Sequence, residues 1–333
     1  MSRAPAAGPS HLQGEALVDR GGRVWLPYDL SHLNEPHAGW TRLSCRREVR
    51  HFHRRSFEWR CPDNDELHIL NGMGVTLGDS IIGMNALTWL KARHPSLRIH
   101  LYRTLHAPAF VASLYALARH IVADVSCLPV AADQLPEDTI DLSDFLHWPT
   151  FDSEPMVDLF FRSLGMAPQA VPATAKRNGW MSQLSLPMLP ERQRDRPYVL
   201  FCDRASTPLR SVPRERFSAM VDRIWQAYGL PVYGFQPASQ AQCHTHYQDV
   251  STHSQSLVQY LSWVRSASVV VGVDSSAIHA ASGFDVPTLA FFASIDPLLR
   301  VRDYPLCRAL DVRTPLTRGL HQSTDRGVLL EVG

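Results

Sequence analysis

The sequence has little lysine, no long apolar run and no closely paired cysteines. Lys91 and Lys176 are its only lysines, so arginine carries nearly all of the basic charge. A net charge of +1 does not indicate a strongly positive surface that would attract a polyanion, and we expect no nucleic-acid partner. No apolar run reaches the roughly 18 residues of a membrane span, so at most peripheral membrane contact is expected. The N-terminus lacks a hydrophobic signal core, which predicts a cytoplasmic location.

The six cysteines are scattered without C-x-x-C spacing, which is typical of reduced thiols in a cytosolic chain. Two short fragments, Cys243–His246 and His51–His53, contain residue types that bind metals. Neither fragment has a full ligand set nearby in the sequence, so no metal site is predicted.

At 333 residues the chain is long enough for two domains with complete cores. Composition and predicted elements divide it into a partly disordered N-terminal extension (1–65), a first Rossmann-like domain (66–172), a linker (173–196), a second Rossmann-like domain (197–312) and a C-terminal tail (313–333).

Residues 269–297 are the most informative stretch. The run Val269–Val271 predicts a buried strand, and Asp274–Ser276 then open a short helix that Gly283 ends. Pro287 leads into a second apolar strand. Asp and Ser at a helix start cap its N–H groups, and those groups together with the helix dipole attract anions. The pattern predicts half of a parallel α/β unit with an anion site.

This stretch resembles the C-terminal signature of glycosyltransferase family 9, the heptosyltransferase-like enzymes of the GT-B fold. The matching residues are Asp274, Ser275, His279, Gly283, Pro287, Asp296 and Pro297. Ser276 departs from the pattern, because the family has a glycine there that lets the backbone approach the donor pyrophosphate. The resemblance implies that Asp274, Ser275, Ser276 and His279 bind the donor phosphates. The alternative is an ordinary strand–helix–strand unit with a core histidine.

An upstream block carries the family's N-terminal hallmark. A strand over 66–70 is followed by Leu77-Gly78-Asp79 and by an amphipathic helix from Ser80 that Pro95 ends. The resemblance implies that Gly78 lies at the donor phosphates and that Asp79 is the catalytic base, which takes the proton of the acceptor hydroxyl. Asp79 as a plain helix N-cap is the alternative. A dinucleotide site on residues 66–103, and hence an oxidoreductase, is a weaker one, because the glycine spacing is one residue too long.

A third block follows a strand over 198–202. In the family, the corresponding loop grips the donor phosphates with hydroxyl and basic residues, which implies this role for Ser206, Thr207 and Arg210. After the next strand the family often has a carboxylate for the ribose. This chain has none there, and Gln240 is the candidate for a ribose or base contact.

The resemblance implies an α/β, GT-B fold: two Rossmann-like domains whose parallel sheets face a central cleft, with the acceptor on the first and the nucleotide sugar on the second. The expected function is inverting, metal-independent transfer of a heptose-like sugar. The expected co-substrate is a nucleotide-diphosphate sugar, ADP-linked, with no other cofactor. The acceptor is a glycan, a small metabolite or a protein. The alternative is a catalytically inactive GT-B-shaped scaffold protein that binds nucleotides.

Overall fold

The computed structural model describes residues 15–30, 32–33, 37–143, 148, 150–237 and 245–320. The chain divides into two compact units. Unit 1 comprises Met1–Thr76, Trp89–Phe151 and Asp158–Pro168. Unit 2 comprises Leu77–Thr88, Asp152–Val157 and Gln169–Gly333.

The described strands of unit 1 are β1 (Leu17–Val18), β2 (Arg23–Trp25), β3 (Thr41–Arg42), β4 (Val49–Arg50), β5 (Glu66–Leu70), β6 (Arg98–Arg103), β7 (Asp124–Cys127), β8 (Val130–Ala131) and β9 (Thr139–Asp141). Its described helices are α1 (Pro27–Leu30) and α3 (Ala109–Leu117). Residues of both units contribute to α2 (Leu77–Arg93) and α4 (Met156–Ser163).

The main sheet of unit 1 is parallel, with its described strands in the order β4-β9-β5-β6-β7. Leu67, Ile69 and Leu70 on β5 are buried, as expected for a parallel strand covered on both faces. A smaller antiparallel sheet has its described strands in the order β3-β1-β2-β8. The described part of segment 1–65 therefore supplies strands to both sheets.

The described strands of unit 2 are β10 (Val199–Cys202), β11 (Val232–Gly234), β12 (Tyr247–Asp249), β13 (Val269–Val273), β14 (Thr288–Phe292) and β15 (Cys307–Asp311). Its further described helices are α5 (Glu191–Arg194), α6 (Phe217–Tyr228), α7 (Leu257–Ser266), α8 (Ser276–Gly283) and α9 (Leu298–Val301). No helix in the described ranges is both long and apolar enough to cross a membrane.

These six strands of unit 2 form one parallel sheet in the order β12-β11-β10-β13-β14-β15. Numbered along the chain, this is the doubly wound order 3-2-1-4-5-6, in which the chain reverses direction across the sheet between the first and fourth strands. The core on one face includes Phe201 on β10 with Phe217 and Val221 on α6. Trp225, predicted for the same helix face, is 39% exposed, since it lies at the edge of the stripe and stacks on His246.

Candidate functional site

The carboxyl ends of β10 and β13 carry the residues predicted to bind the donor phosphates. The loop after β10 holds Ser206, Thr207 and Arg210, and the turn after β13 begins with Asp274. The two strands are paired to the end of β10, so both segments leave the sheet side by side. In a doubly wound sheet, ligands bind in the crevice at this switch point. The fold thus brings together two predicted blocks that are far apart in the sequence.

Arg210 joins the two segments. Its Nη1 donates to Asp274 Oδ2 at 3.1 Å and to the Asp274 carbonyl oxygen at 3.3 Å. Its Nε donates to Thr207 Oγ1 at 3.2 Å, and its Nη2 donates to Ser206 Oγ. The exposed fractions of the Arg210 and Asp274 side chains are 16% and 6%, so water screens this ion pair poorly. The described contacts use four of the five N–H donors of the guanidinium and leave one on Nη2 for a ligand.

Helix α8 begins directly at the switch point. Ser275 is its N-cap residue in an extended conformation, with no side-chain capping bond among the described residues. Ser276 opens the helix, and its Oγ lies 3.4 Å from Tyr260 Oη. The N–H groups of a first helical turn and the helix dipole attract anions. The start of α8 is therefore a candidate phosphate-binding element.

His279 lies one turn into α8 and is buried. Its Nδ1 lies 3.0 Å from Tyr304 Oη, and Asn178 Nδ2 donates to the same hydroxyl oxygen at 2.7 Å. Because Tyr304 accepts from Asn178, its own proton is available to His279 Nδ1, which puts the imidazole proton on Nε2. Burial lowers the pKa of His279 to about 4, although Asp274 acts in the opposite direction. His279 is thus neutral near pH 7 and offers Nε2–H as a donor.

Asn178 is the centre of a buried network that the sequence did not reveal. Besides Tyr304, its Nδ2 reaches the His279 carbonyl oxygen at 2.9 Å. It also exchanges two hydrogen bonds with Asn85 of α2, at 2.9 and 2.6 Å. Its φ of 61° is left-handed, a conformation that Asn tolerates better than most residues. Asn178 lies in segment 173–196, for which the sequence predicted a linker, and it connects α2, α8 and Tyr304.

Helix α2 begins at Leu77, whereas the sequence predicted a start at Ser80. Leu77 is 7% exposed, so its burial favours an additional turn in spite of the low helix propensity of Gly78. Asp79 consequently lies in the first turn of the helix and does not precede it. A carboxylate in a first turn also stabilises the helix through its dipole.

Gly78 allows two helix starts to approach each other. A Cβ atom on Gly78 would lie 3.3 Å from His279 Cδ2 and 3.7 Å from the backbone nitrogen of Ser276. A larger side chain at this position would press on the first turn of α8. The predicted base Asp79 follows Gly78 in the same first turn of α2.

Arg300 on α9 adds a second guanidinium that the sequence analysis missed. Burial lowers its pKa, whereas the carboxylates of Asp274, Asp79 and Asp152 raise it. Arg300 thus lies among three carboxylates of unit 2. Only Asp296 and Pro297, which precede α9, were recognised in the sequence, because a single arginine within a short helix has no pattern of its own.

The residue predicted to contact ribose or base, Gln240, lies outside the described residues. The described segment after β11 contains Phe235 and Gln236. Gln236 is 4% exposed and accepts from Arg204 Nε at 3.1 Å. The Phe235 ring lies 5.3 Å from the ring of Tyr260, whose hydroxyl contacts the start of α8. Two neighbouring aromatic rings therefore lie between the end of β11 and the start of α8.

The model of a known family matches part of the chain. The model of glycosyltransferase family 9 (heptosyltransferase) matches residues 155–305. The chain is thus similar to this family over a little less than half of its length. The family 9 range contains the loop after β10, the start of α8, and the unpredicted residues Asn178, Arg300 and Tyr304. Gly78 and Asp79 lie before it. No curated protein matches the chain.

Two solved structures resemble the chain over most of its length. One is ADP-heptose LPS heptosyltransferase II from E. coli, at 15% identity and a TM-score of 0.52, covering 80% of this chain and 97% of that one. The other is a family 9 glycosyl transferase from Veillonella parvula, at 13% identity and a TM-score of 0.54, covering 77% and 88%. At these identities the likeness shows the fold alone. Together with the parallel sheets, it confirms the predicted α/β, GT-B fold class.

Proposed function

We propose that this protein is an inverting glycosyltransferase that moves a sugar from a nucleoside diphosphate to an acceptor hydroxyl without a metal in the transfer step. The family 9 match supports glycosyltransferase activity. One observation carries the donor assignment: the Arg210–Asp274 pair and the start of α8 meet at the switch point of a doubly wound sheet.

The diphosphate is bound by fixed donors in this proposal. The remaining N–H of Arg210, the first turn of α8 and His279 Nε2–H each favour a negatively charged oxygen. Ser206 and Thr207 hold the guanidinium of Arg210 in place. Donors that are already oriented stabilise the charge that develops on the leaving diphosphate, and Arg300 adds a positive charge nearby.

The nucleoside part follows from the same geometry. Phe235 and Tyr260 offer aromatic surface beside the phosphate site, which suits a base, and Gln236 offers an amide at the end of β11. In doubly wound folds the residue after the second strand contacts the ribose. ADP is the nucleotide we propose, since the E. coli structure at TM-score 0.52 is named for ADP-heptose.

Asp79 is the proposed general base. It removes the proton of the acceptor hydroxyl while that oxygen attacks the anomeric carbon, and the nucleoside diphosphate departs from the opposite face, which inverts the configuration. Two observations support this role. Asp79 lies in the first turn of α2, and the preceding residue, Gly78, lies close to the start of α8.

The test measures nucleoside diphosphate released from ADP-, GDP- and UDP-sugars, with binding of the free nucleotides measured in parallel. We expect release from one donor class, with a rate at least about 100-fold lower in Asp79→Asn because a general base contributes roughly 10²–10⁴. Nucleotide affinity should stay unchanged in that variant. Asp285→Asn is the control, because Asp285 is exposed and the substitution is the same. Binding without any release in the wild-type protein would favour an inactive nucleotide-binding scaffold.

A further inference from the structure

Three side chains gather on one face of the parallel sheet of unit 1. Glu66 and His68 alternate on β5, and His100 is the β6 residue paired with His68. Alternation and parallel pairing direct all three to the same face. The two imidazoles stack with ring centroids 4.6 Å apart. One atom of each residue, a carboxylate oxygen or a ring nitrogen, lies within 4.8 Å of the others.

Both histidines leave a buried nitrogen without a hydrogen bond. His68 Nε2 and His100 Nε2 are inaccessible to solvent and have no hydrogen-bond partner among the described residues. Each lies near Glu66, at 3.6 Å from Oε2 and 3.9 Å from Oε1 respectively. Buried polar atoms are nearly always satisfied in folded proteins, so two such atoms facing one carboxylate call for a ligand.

The tyrosine beside His68 is placed to orient it. Tyr102 Oη lies 3.2 Å from His68 Nδ1. An imidazole that binds a metal usually donates its other N–H to an oxygen, which fixes the tautomer and directs the lone pair at the ion. The Tyr102 hydroxyl oxygen can accept a hydrogen bond from that N–H.

We propose that Glu66, His68 and His100 bind one divalent transition-metal ion, with Zn²⁺ the best fit. Two imidazole nitrogens and one carboxylate are a zinc ligand set, whereas Mg²⁺ and Ca²⁺ prefer oxygen alone. Zinc–ligand distances of about 2.0–2.2 Å put neighbouring tetrahedral ligand atoms about 3.3 Å apart. The three candidate ligand atoms lie within 4.8 Å of one another, and the two nitrogen–oxygen separations of 3.6 and 3.9 Å end on different oxygens of Glu66, so the side chains must move closer together to bind an ion.

The fourth position and the entry path lie at Glu66, whose side chain is 33% exposed. The guanidinium of Arg98 lies 3.5 Å from Glu66 Oε1, where it competes with an ion. Its side chain is 63% exposed and can turn away into solvent. The ion would link the neighbouring strands β5 and β6 and stabilise unit 1. Its ligands belong to unit 1, whereas the proposed donor-binding residues belong to unit 2, and no step of the proposed transfer uses the ion.

The experiment uses the tag-free full chain after treatment with a chelator. Zn²⁺ binding is measured by calorimetry, and Co²⁺ is added as an absorbance probe. We expect one ion per chain and Co²⁺ bands of four-coordinate intensity. His68→Gln and His100→Gln should each weaken binding at least tenfold. The control His120→Gln, in an exposed position, should leave it unchanged.

Two milder variants keep the proposal testable if a histidine variant misfolds. Tyr102→Phe removes no ligand but should weaken binding about 10- to 100-fold, as loss of an outer hydrogen bond does. Arg98→Gln should tighten binding, since it removes the competing cation. The proposal is overturned if the wild-type chain takes up no stoichiometric ion, or if the His68→Gln/His100→Gln double variant binds as tightly as the wild type.

Discussion

Two buried histidines, His279 in unit 2 and His68 in unit 1, each place Nδ1 within hydrogen-bond distance of a tyrosine hydroxyl. His279 Nδ1 lies 3.0 Å from Tyr304 Oη, and His68 Nδ1 lies 3.2 Å from Tyr102 Oη. Burial lowers the pKa of both imidazoles. The tyrosines differ, because Asn178 donates to Tyr304, whereas the described contacts give Tyr102 no such donor.

The groups beyond the tyrosine determine what each imidazole can bind. In unit 2, the donor from Asn178 directs the tyrosine proton to His279, so Nε2 carries a hydrogen and suits an anion. In unit 1, His68 faces a second imidazole and a carboxylate, and a lone pair on Nε2 suits a cation. Under the two proposals, one pair of residue types gives opposite ligand selectivity, depending on where a single proton lies.

The largest expected effect on stability comes from the ion pair that fixes the anion site. Arg210→Ala leaves the Asp274 carboxylate buried without its guanidinium, which should cost about 3 kcal/mol or more of unfolding free energy. Urea unfolding measures the loss. Arg210→Lys should lose less, and the Arg210→Ala/Asp274→Ala double variant should lose less than the sum of the single changes. Additive losses would contradict the pairing.

Asn178→Ala removes the side chain that donates to the Tyr304 hydroxyl, for which the described contacts of Tyr102 have no counterpart. The change removes the three side-chain hydrogen bonds to Asn85, Tyr304 and the His279 carbonyl oxygen, and we expect a loss of about 3 kcal/mol. Urea unfolding again measures it. Ser182→Ala, in an exposed position of the same segment, is the control. A loss below about 1 kcal/mol would show that the network is not important for stability.

The pH dependence of stability tests whether His279 stays neutral in the folded protein. The folded-state pKa of His279, about 4, lies below the unfolded value of about 6.5, so the unfolded chain binds the proton first as the pH falls. The neutral His279 therefore contributes up to roughly 3 kcal/mol to the free energy of unfolding. This contribution is fully present above about pH 6.5 and is lost as the pH falls from about 6.5 to 4.

Chemical unfolding at a series of pH values checks this contribution. His279→Gln should remove it and flatten the curve in that window. His68→Gln should also flatten the curve, because burial lowers the pKa of His68 in the same direction. An unchanged slope in His279→Gln would mean that His279 does not stay neutral in the folded protein.

The smallest expected effect tests the tautomer. Tyr304→Phe leaves His279 Nδ1 buried without its partner, at a cost of about 1–2 kcal/mol. Without Tyr304 Oη, the proton of the imidazole is no longer held on Nε2, so the affinity of the protein for the nucleotide should fall about tenfold. Titration calorimetry measures the affinity, with the exposed Tyr228→Phe as control. Equal affinities would contradict the assigned proton position.

Local pattern was enough to predict the elements that carry the family motifs. The strands at 199–202, 269–273 and 288–292 lie where apolar runs predicted them, and Gly283 is the last residue of α8. These elements are specified by apolar runs and by turn residues beside them. The start of α2 was wrong because tertiary burial of Leu77 outweighs the local propensity of Gly78.

The buried networks could not be predicted from one sequence. Asn178 bonds residues that are 93, 101 and 126 positions away, and a single asparagine in an irregular segment gives no periodic signal. His68 and His100 come together only through the register of two parallel strands. A fragment of near neighbours such as His51–His53 is visible in the sequence, whereas this pair is not.

The most direct test of the account is a thermal-shift screen against ADP, GDP, UDP and their sugars. Asp274→Ala and His279→Ala are run alongside, each compared with and without ligand. A ligand at 100 times its Kd stabilises the folded state by about 2.7 kcal/mol. We predict a shift with one nucleotide, ADP, that both variants lose. The account is contradicted if no nucleotide gives a shift, or if the shift persists in both variants.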